Sequence, residues 1–446
     1  MQGSQLATTD DPPIRKYLGL PTLTALVVAN MIGAGVFTSS GFSMAALNHP
    51  GRVMLTWVLC AGWAIAGSIA YGALAKRMPL SGGEYLFLSR LVHPALGFMA
   101  GWISLVAGFT VPIVIAAKGA ATYSLPESQE SDWLFRGVAI TIIFLATTCH
   151  VVRAEVGAWV QNTIVGLKIA LLTAFVLWAF VWLPADQWLG MPSDQEGPWW
   201  PENWNAWVTV LGAMSWIALS YTGFNAAVYV ADESQHAERN VPRAMLVGTI
   251  IVTVIYLLLN YIFVYAPNAD AILGKKEVAA IAAEAVGGNT LATWMRITIV
   301  LAMTSSVFSL LLAGPRVYQK MADDGVMPRI LSSTGRWPQL ATLVQALLAI
   351  IVLHMASLFQ LMSYLGLTLS ACGALAVLSL WWIQRRVPDA QPLSILELVA
   401  VIVYLAVTAC ILAASYTTHA DEFRAMCVTF GIGIVFYVAW RQIEKS

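Results

Sequence analysis

Charge is what this sequence has least of. Its 446 residues carry 24 Lys+Arg and 24 Asp+Glu, 11% of positions, against 59% apolar. A soluble domain usually holds about 25% charged residues, so a chain with under half that share cannot coat a water-facing surface of its size. Net charge is zero, and no excess of basic residues speaks for a nucleic-acid partner. Zinc and disulfide spacings are also missing. Cys60, Cys149, Cys372, Cys410 and Cys427 lie within or at the edge of apolar runs, which reads as reduced, packed thiols. The first twenty residues contain Asp10, Asp11, Pro12 and Pro13 but no apolar run, so no cleaved signal peptide is expected. Paired histidines, a Ser/His/Asp order, a carboxylate pair at membrane depth and a phosphate loop are all lacking. An intramembrane enzyme is therefore the least favoured class, and no cofactor or metal is expected.

What the sequence has is apolar length. At about 20 residues per crossing, the apolar share furnishes about a dozen membrane spans. Apolar runs bounded by charge, Pro, Gly and Trp predict twelve: 21–47, 52–75, 95–124, 136–152, 156–183, 205–231, 243–267, 290–318, 338–357, 360–384, 394–417 and 423–441. The expected fold class is an all-α polytopic membrane protein. With the N-terminus inside, the inner segments hold 16 basic residues, among them Arg15, Lys16, Arg153 and Arg336. The outer segments hold five: Arg52, Arg136, Lys275, Lys276 and Arg424. The outer loop from 184 to 204 carries Asp186, Asp194, Glu196 and Glu202 with no Lys or Arg. This asymmetry predicts a multi-pass protein of the inner or plasma membrane with both termini in the cytoplasm.

A helix in lipid must satisfy its own backbone, so glycine clusters in mid-span predict breaks that face an internal cavity. Span 1 has one in Asn30-Met31-Ile32-Gly33-Ala34-Gly35-Val36-Phe37, and span 6 another in Ser220-Tyr221-Thr222-Gly223-Phe224-Asn225. Gly33 and Gly223 are 190 residues apart, each in the first helix of a five-helix set if spans 1–5 and 6–10 are equivalent halves. An odd number of spans per half inverts the second half, and paired breaks in inverted repeats point to a transporter's substrate site. Exposed N–H groups at a half-helix start attract a carboxylate, and exposed carbonyls at a half-helix end attract an ammonium, so a zwitterion fits both. The plainer alternative is that these glycines only let helices pack closely. The halves divide the chain into a tail (1–20), a first repeat (21–185), a second repeat (205–387), two further spans (394–441) and a short tail (442–446).

Four motifs, in order, resemble the amino acid-polyamine-organocation (APC) superfamily of permeases. Ile32-Gly33-Ala34-Gly35-Val36-Phe37 matches its G-[STA]-G signature. Tyr71 through Pro79 to Ser81-Gly82-Gly83-Glu84-Tyr85, the loop after span 2, resembles Y-A-E-L…P-x-[ST]-G-G-x-Y. Glu233 with Arg239-Asn240-Val241-Pro242 resembles E…RN-[IVL]-P, and Gly314-Pro315-Arg316 through Met321-Ala322-Asp323-Asp324-Gly325 to Pro328 resembles G-x-R…M-A-x-D-G-x-x-P. The frequent acid of Y-A-E-L is Ala73 here. The resemblance implies a LeuT-type fold, a 5+5 inverted repeat with broken helices 1 and 6 plus two added helices, working by alternating access. It implies that the amides of Ala34 and Gly35 hold the substrate carboxylate. The carbonyls of Met31, Leu219, Ser220 and Thr222 would take the ammonium, Phe224 would gate the site, and Asn225 would tie the broken helix to its neighbours.

Lys168 lies about a third of the way into span 5, where an ionised lysine is costly unless compensated, so a functional role is expected. The resemblance implies that its ammonium replaces the sodium ion of sodium-coupled relatives between spans 1 and 8, beside Thr304 and Ser305. Burial penalises the charged form, which would suit Lys168 to loading and releasing a proton. Lys118 is read as a lysine snorkelling to the outer interface, or else as a charge facing the outer vestibule. The expected function is sodium-independent secondary active transport of amino acids, neutral ones first, as a proton symporter or an exchanger. The alternatives are a polyamine or cationic amino acid exchanger and a non-transporting amino acid sensor. The partners expected are a small amino acid and the bilayer, with no ancillary subunit.

Overall fold

The computed structural model describes residues 18–125, 132–152, 157–183, 198–332 and 339–445. The acidic residues Asp186, Asp194 and Glu196 and the basic residues Arg15, Lys16, Arg153 and Arg336 lie outside them. Among the described residues there is no strand, only a bridge between Leu18 and Ser234. Among the described residues nine helices are long and apolar enough to cross a membrane, and a bent pair, Leu20–Met31 with Gly35–Leu47, makes a tenth. Two shorter apolar segments, Gly166–Trp182 and Leu340–Met355, stand where spans 5 and 9 are expected.

The helices that build the site are α1 (Leu20–Met31), α2 (Gly35–Leu47), α3 (Pro50–Arg77), α4 (Gly83–Leu91), α5 (Pro94–Ile103), α6 (Val111–Ser124), α7 (Asp132–Val152), α8 (Gly157–Trp182), α9 (Trp204–Tyr221), α10 (Ala237–Tyr265), α11 (Val278–Asp323), α12 (Leu340–Met355), α13 (Leu358–Leu378), α14 (Ile395–Thr418) and α15 (Ala420–Lys445). Their starts follow local chemistry. Pro50 and Pro94 occupy first-turn positions behind His49 and His93, whose side chains accept from Gly51 N and Ala95 N, because a proline there gives up an N–H that has no helical partner. Ser357 with Gln360 and Ser394 with Glu397 form capping boxes.

Three features depart from the expected layout. The segment after span 2, read as a loop, contains the helix α4. Span 3 winds as a π-helix over Ser104–Thr110 between α5 and α6. Span 8 belongs to α11, which begins at Val278 and kinks at Gly287 and Gly288. Helix α3 packs along α10 and α14, α1 along α10, α6 along α11, and α9 along α13 and α14. The chain entering α1 pairs with the segment leaving span 6, with Leu18 N donating to Glu233 O at 3.1 Å and Gln235 N to Leu18 O at 3.0 Å.

Arg77 pins the end of α3 to the lead-in of α14. It donates to the carbonyls of Ala73, Gln391 and Pro392 at 2.8, 2.7 and 2.7 Å and pairs with Glu397 at 2.8 Å, with only 2% of its side chain exposed. Arg77→Met leaves Glu397 and three carbonyls short of a donor, and is expected to cost roughly 3 kcal/mol, the low end for breaking a buried pair. Thermal unfolding in detergent checks this; a midpoint equal to the parent's would contradict it.

Candidate functional site

The two glycine clusters are the two breaks, and they meet. At the first, the chain leaves the helix at Ile32 and re-enters at Gly35 with a 41° turn. At the second, Thr222 is extended and Gly223 takes φ +96°, before a 3-10 segment runs from Ala226 to Glu233. Side chains would block this meeting. A Cβ on Gly35 would lie 2.4 Å from Ser220 Oγ and 3.1 Å from Ser220 Cα, and one on Gly223 would lie 3.0 Å from the carbonyl carbon and oxygen of Asn30. Ser39 and Ser220 place their hydroxyls 3.3 Å apart across the contact.

The backbone groups freed at the breaks divide by sign. At the start of α2, the N–H groups of Ala34 and Gly35 have no acceptor among the described residues. At the end of α9, the carbonyls of Ser220 and Thr222 have no donor among them. Of the other carbonyls named above, Met31 O is partly taken, accepting the Tyr256 hydroxyl at 2.6 Å, and Leu219 O is fully taken, accepting the Thr222 hydroxyl at 2.6 Å and the Thr222 N–H at 3.1 Å. Unpaired donors on one break thus lie against unpaired acceptors on the other, an arrangement able to take an anionic and a cationic group at once.

Lys168 reaches this junction from α8. It is 4% exposed, and its ammonium donates to Ile32 O inside the first break. Among the described residues no hydrogen bond links it to Thr304 or Ser305: the Ser305 hydroxyl turns back onto Ala302 O at 2.7 Å, and Ser306 does the same at 3.0 Å, as hydroxyls on helices often do. Lys118 is buried rather than at an exposed edge, its ammonium donating to Ala356 O at the end of α12. Arg296 pairs with the mostly buried Glu277.

Phe224 stands edge-on to three rings, Trp63 at 6.3 Å, Tyr71 at 5.5 Å and Tyr404 at 6.4 Å, between α3 and α14. Its neighbour Asn225 donates to Glu84 Oε1 at 2.6 Å. The same oxygen accepts from Tyr71 at 2.8 Å, and Oε2 accepts from Tyr229 at 2.6 Å. Sequence reasoning passed over Glu84 and Tyr404, the first seen only as a motif letter and the second lying in a span outside the motifs. A usable signal existed for Glu84, an acid directly after two glycines and close to the apolar end of span 2. On the same helix, Tyr85 faces Asp324 at 3.4 Å, and burial and then that acid push its phenol up to about 12, so it stays protonated at neutral pH.

The model of the amino acid permease family matches residues 18–439. The chain belongs to this family, within the APC superfamily. Amino acid permeases similar to it include the b(0,+)-type amino acid transporter 1 of Mus musculus, 23% identical over 97% of this chain and 89% of that protein. The serine/threonine exchanger SteT of Bacillus subtilis (strain 168) is 24% identical over 77% of this chain and 78% of its own length. The large neutral amino acids transporter small subunit 2 of Homo sapiens is 22% identical over 79% and 67%. These relatives are transporters, not enzymes. The expectation of no ancillary subunit gains no support from them, since one is named a small subunit.

Proposed function

We propose that this permease is a sodium-independent secondary active transporter of amino acids with neutral side chains, and that the two breaks are its substrate site. The observation that carries this is the split of groups unpaired among the described residues: N–H donors at Ala34 and Gly35 for the carboxylate and carbonyl acceptors at Ser220 and Thr222 for the ammonium, with Met31 adding a second lone pair, whereas both lone pairs of Leu219 O are taken within Thr222. Neutral substrates are favoured because the acid described beside the breaks, Glu84, is already held by three donors and is not free to meet a second ammonium. That argues equally against polyamines. Lys168 places a positive charge on the Ile32 carbonyl, where a coupling sodium would need that oxygen. Thr304 and Ser305 line the facing helix as candidates for the coupling path, and Phe224 serves as the gate. The layout we assign is the twelve-helix LeuT-type 5+5 repeat with both termini in the cytoplasm, in the plasma membrane, the halves alternating access around the breaks.

The kinship to a serine/threonine exchanger supports exchange as the mode. The test is uptake of a labelled L-amino-acid mixture into proteoliposomes of the purified protein without sodium. Vesicles are empty or preloaded with the same mixture, with and without an inward proton gradient. Exchange predicts uptake into preloaded vesicles only; gradient-stimulated uptake into empty vesicles would make the protein a proton symporter. Absence of uptake in every condition, from folded protein, would overturn amino acid transport and leave the sensor reading.

A further inference from the structure

Glu84 lies beside the breaks, and its carboxylate accepts three side-chain hydrogen bonds. Glu84 is 8% exposed, and among the described residues no basic side chain lies within 4 Å of its carboxylate. A buried acid without a counter-charge depends on its hydrogen bonds. Here three neutral donors supply them, and they come from two elements. Tyr71 belongs to the packed helix α3, while Asn225 and Tyr229 belong to the segment that follows the second break.

We propose that Glu84 is the clamp that holds the second half of broken span 6 against α3 and α4, keeping Phe224 withdrawn from the substrate, and that its release is a step of the transport cycle. The inference rests on the transport reading above. Asn225 directly follows Phe224, so fixing the amide at 2.6 Å fixes the ring among Trp63, Tyr71 and Tyr404. Tyr71 acts on both sides, meeting Phe224 with its ring and Glu84 with its hydroxyl. For Phe224 to swing over the breaks, Asn225 must leave Glu84. Gate closure and the clamp therefore compete for the same residue pair. Tyr229, 41% exposed, is the most exposed of the three donors. Helix α4 is in turn tied to the end of α11 through Tyr85 and Asp324, so the clamp links span 6 to the far side of the bundle. Glu84 is thus a positioning residue that acts through Asn225 and Tyr229.

Cys372 reports on the clamp directly. It is 4% exposed on α13, next to Gly373, where a Cβ would lie 3.1 Å from the Tyr71 hydroxyl. Full-length protein in proteoliposomes is treated with N-ethylmaleimide, and alkylation of the Cys372 peptide is followed by mass spectrometry alongside exchange turnover. For Glu84→Ala the expected results are Cys372 labelling faster by about tenfold, as for a local opening made easier, and turnover lower by about tenfold. Glu84→Gln keeps an acceptor for Tyr71 and Asn225 and is expected to retain at least a third of parental turnover with an unchanged pH profile. Adding Tyr229→Phe to Glu84→Ala should cost nothing further, because the donor has already lost its acceptor. Parental labelling and turnover in Glu84→Ala would overturn the clamp; a displaced pH profile in Glu84→Gln would also overturn it and make Glu84 a proton carrier. The labelling needs no transported substrate, so it separates failure of the clamp from failure of the transport reading.

Discussion

Lys168→Ala is expected to cut amino acid uptake by about 10- to 100-fold while leaving the protein as thermally stable as its parent. The two halves of that result have separate causes. Losing the ammonium strips the Ile32 carbonyl of its donor inside the first break, and an unsatisfied buried group costs about 1–3 kcal/mol, up to roughly a hundredfold in rate if the cost falls on the step that rearranges the break. The charge itself, 4% exposed with one neutral carbonyl as its hydrogen-bond partner among the described residues, is expensive to bury, so deleting it relieves desolvation and offsets the lost bond. A lysine kept for structure would behave in the opposite way, with stability falling first. Initial uptake rates at two pH values and unfolding midpoints in detergent check both halves. Full activity with unchanged pH dependence would remove Lys168 from the mechanism.

Gly223→Ala is expected to abolish uptake and to lower the unfolding midpoint as well. Gly223 sits at φ +96°, where a side chain is strained by about 1–3 kcal/mol. Its Cβ would also press on the backbone of Asn30 at 3.0 Å, and backbone in the opposing span has no rotamer by which to yield. The contact between the breaks would have to widen, pulling the acceptors at Ser220 and Thr222 away from the donors at Ala34 and Gly35. Gly62→Ala on α3 is the control, because a Cβ there meets nothing within 4 Å, and it should leave both quantities unchanged. Parental uptake in Gly223→Ala would mean that the close approach of the breaks is not required.

The breaks were legible because breaking a lipid-exposed helix is costly enough that the sequence must mark it, and glycines in mid-span are the mark. Lys168 was legible for the same reason, since an intramembrane charge stands out against apolar neighbours. Its partner was not: Ile32 contributes a backbone carbonyl, and any residue could have done so. Thr304 and Ser305 were chosen by spacing along span 8, but spacing cannot tell a hydroxyl aimed at a neighbour from one satisfied by its own helix, and Ser305 is of the second kind. Helix α4 was hidden because nine residues that open on a glycine pair give a weak periodic signal. The aromatic box around Phe224 draws Tyr404 from α14, a contact between residues 180 apart that no local pattern announces.

The central claim is that the two breaks together recognise a zwitterion, and competition for labelled uptake by three close analogues tests it most directly. These are one neutral L-amino acid, its methyl ester and the amine left by its decarboxylation. The account predicts that only the amino acid competes, since the ester offers no carboxylate to Ala34 and Gly35 and the amine offers nothing there at all. Competition by the amine at concentrations similar to the amino acid would contradict it, leaving only the acceptor end of the site at Ser220 and Thr222 in use.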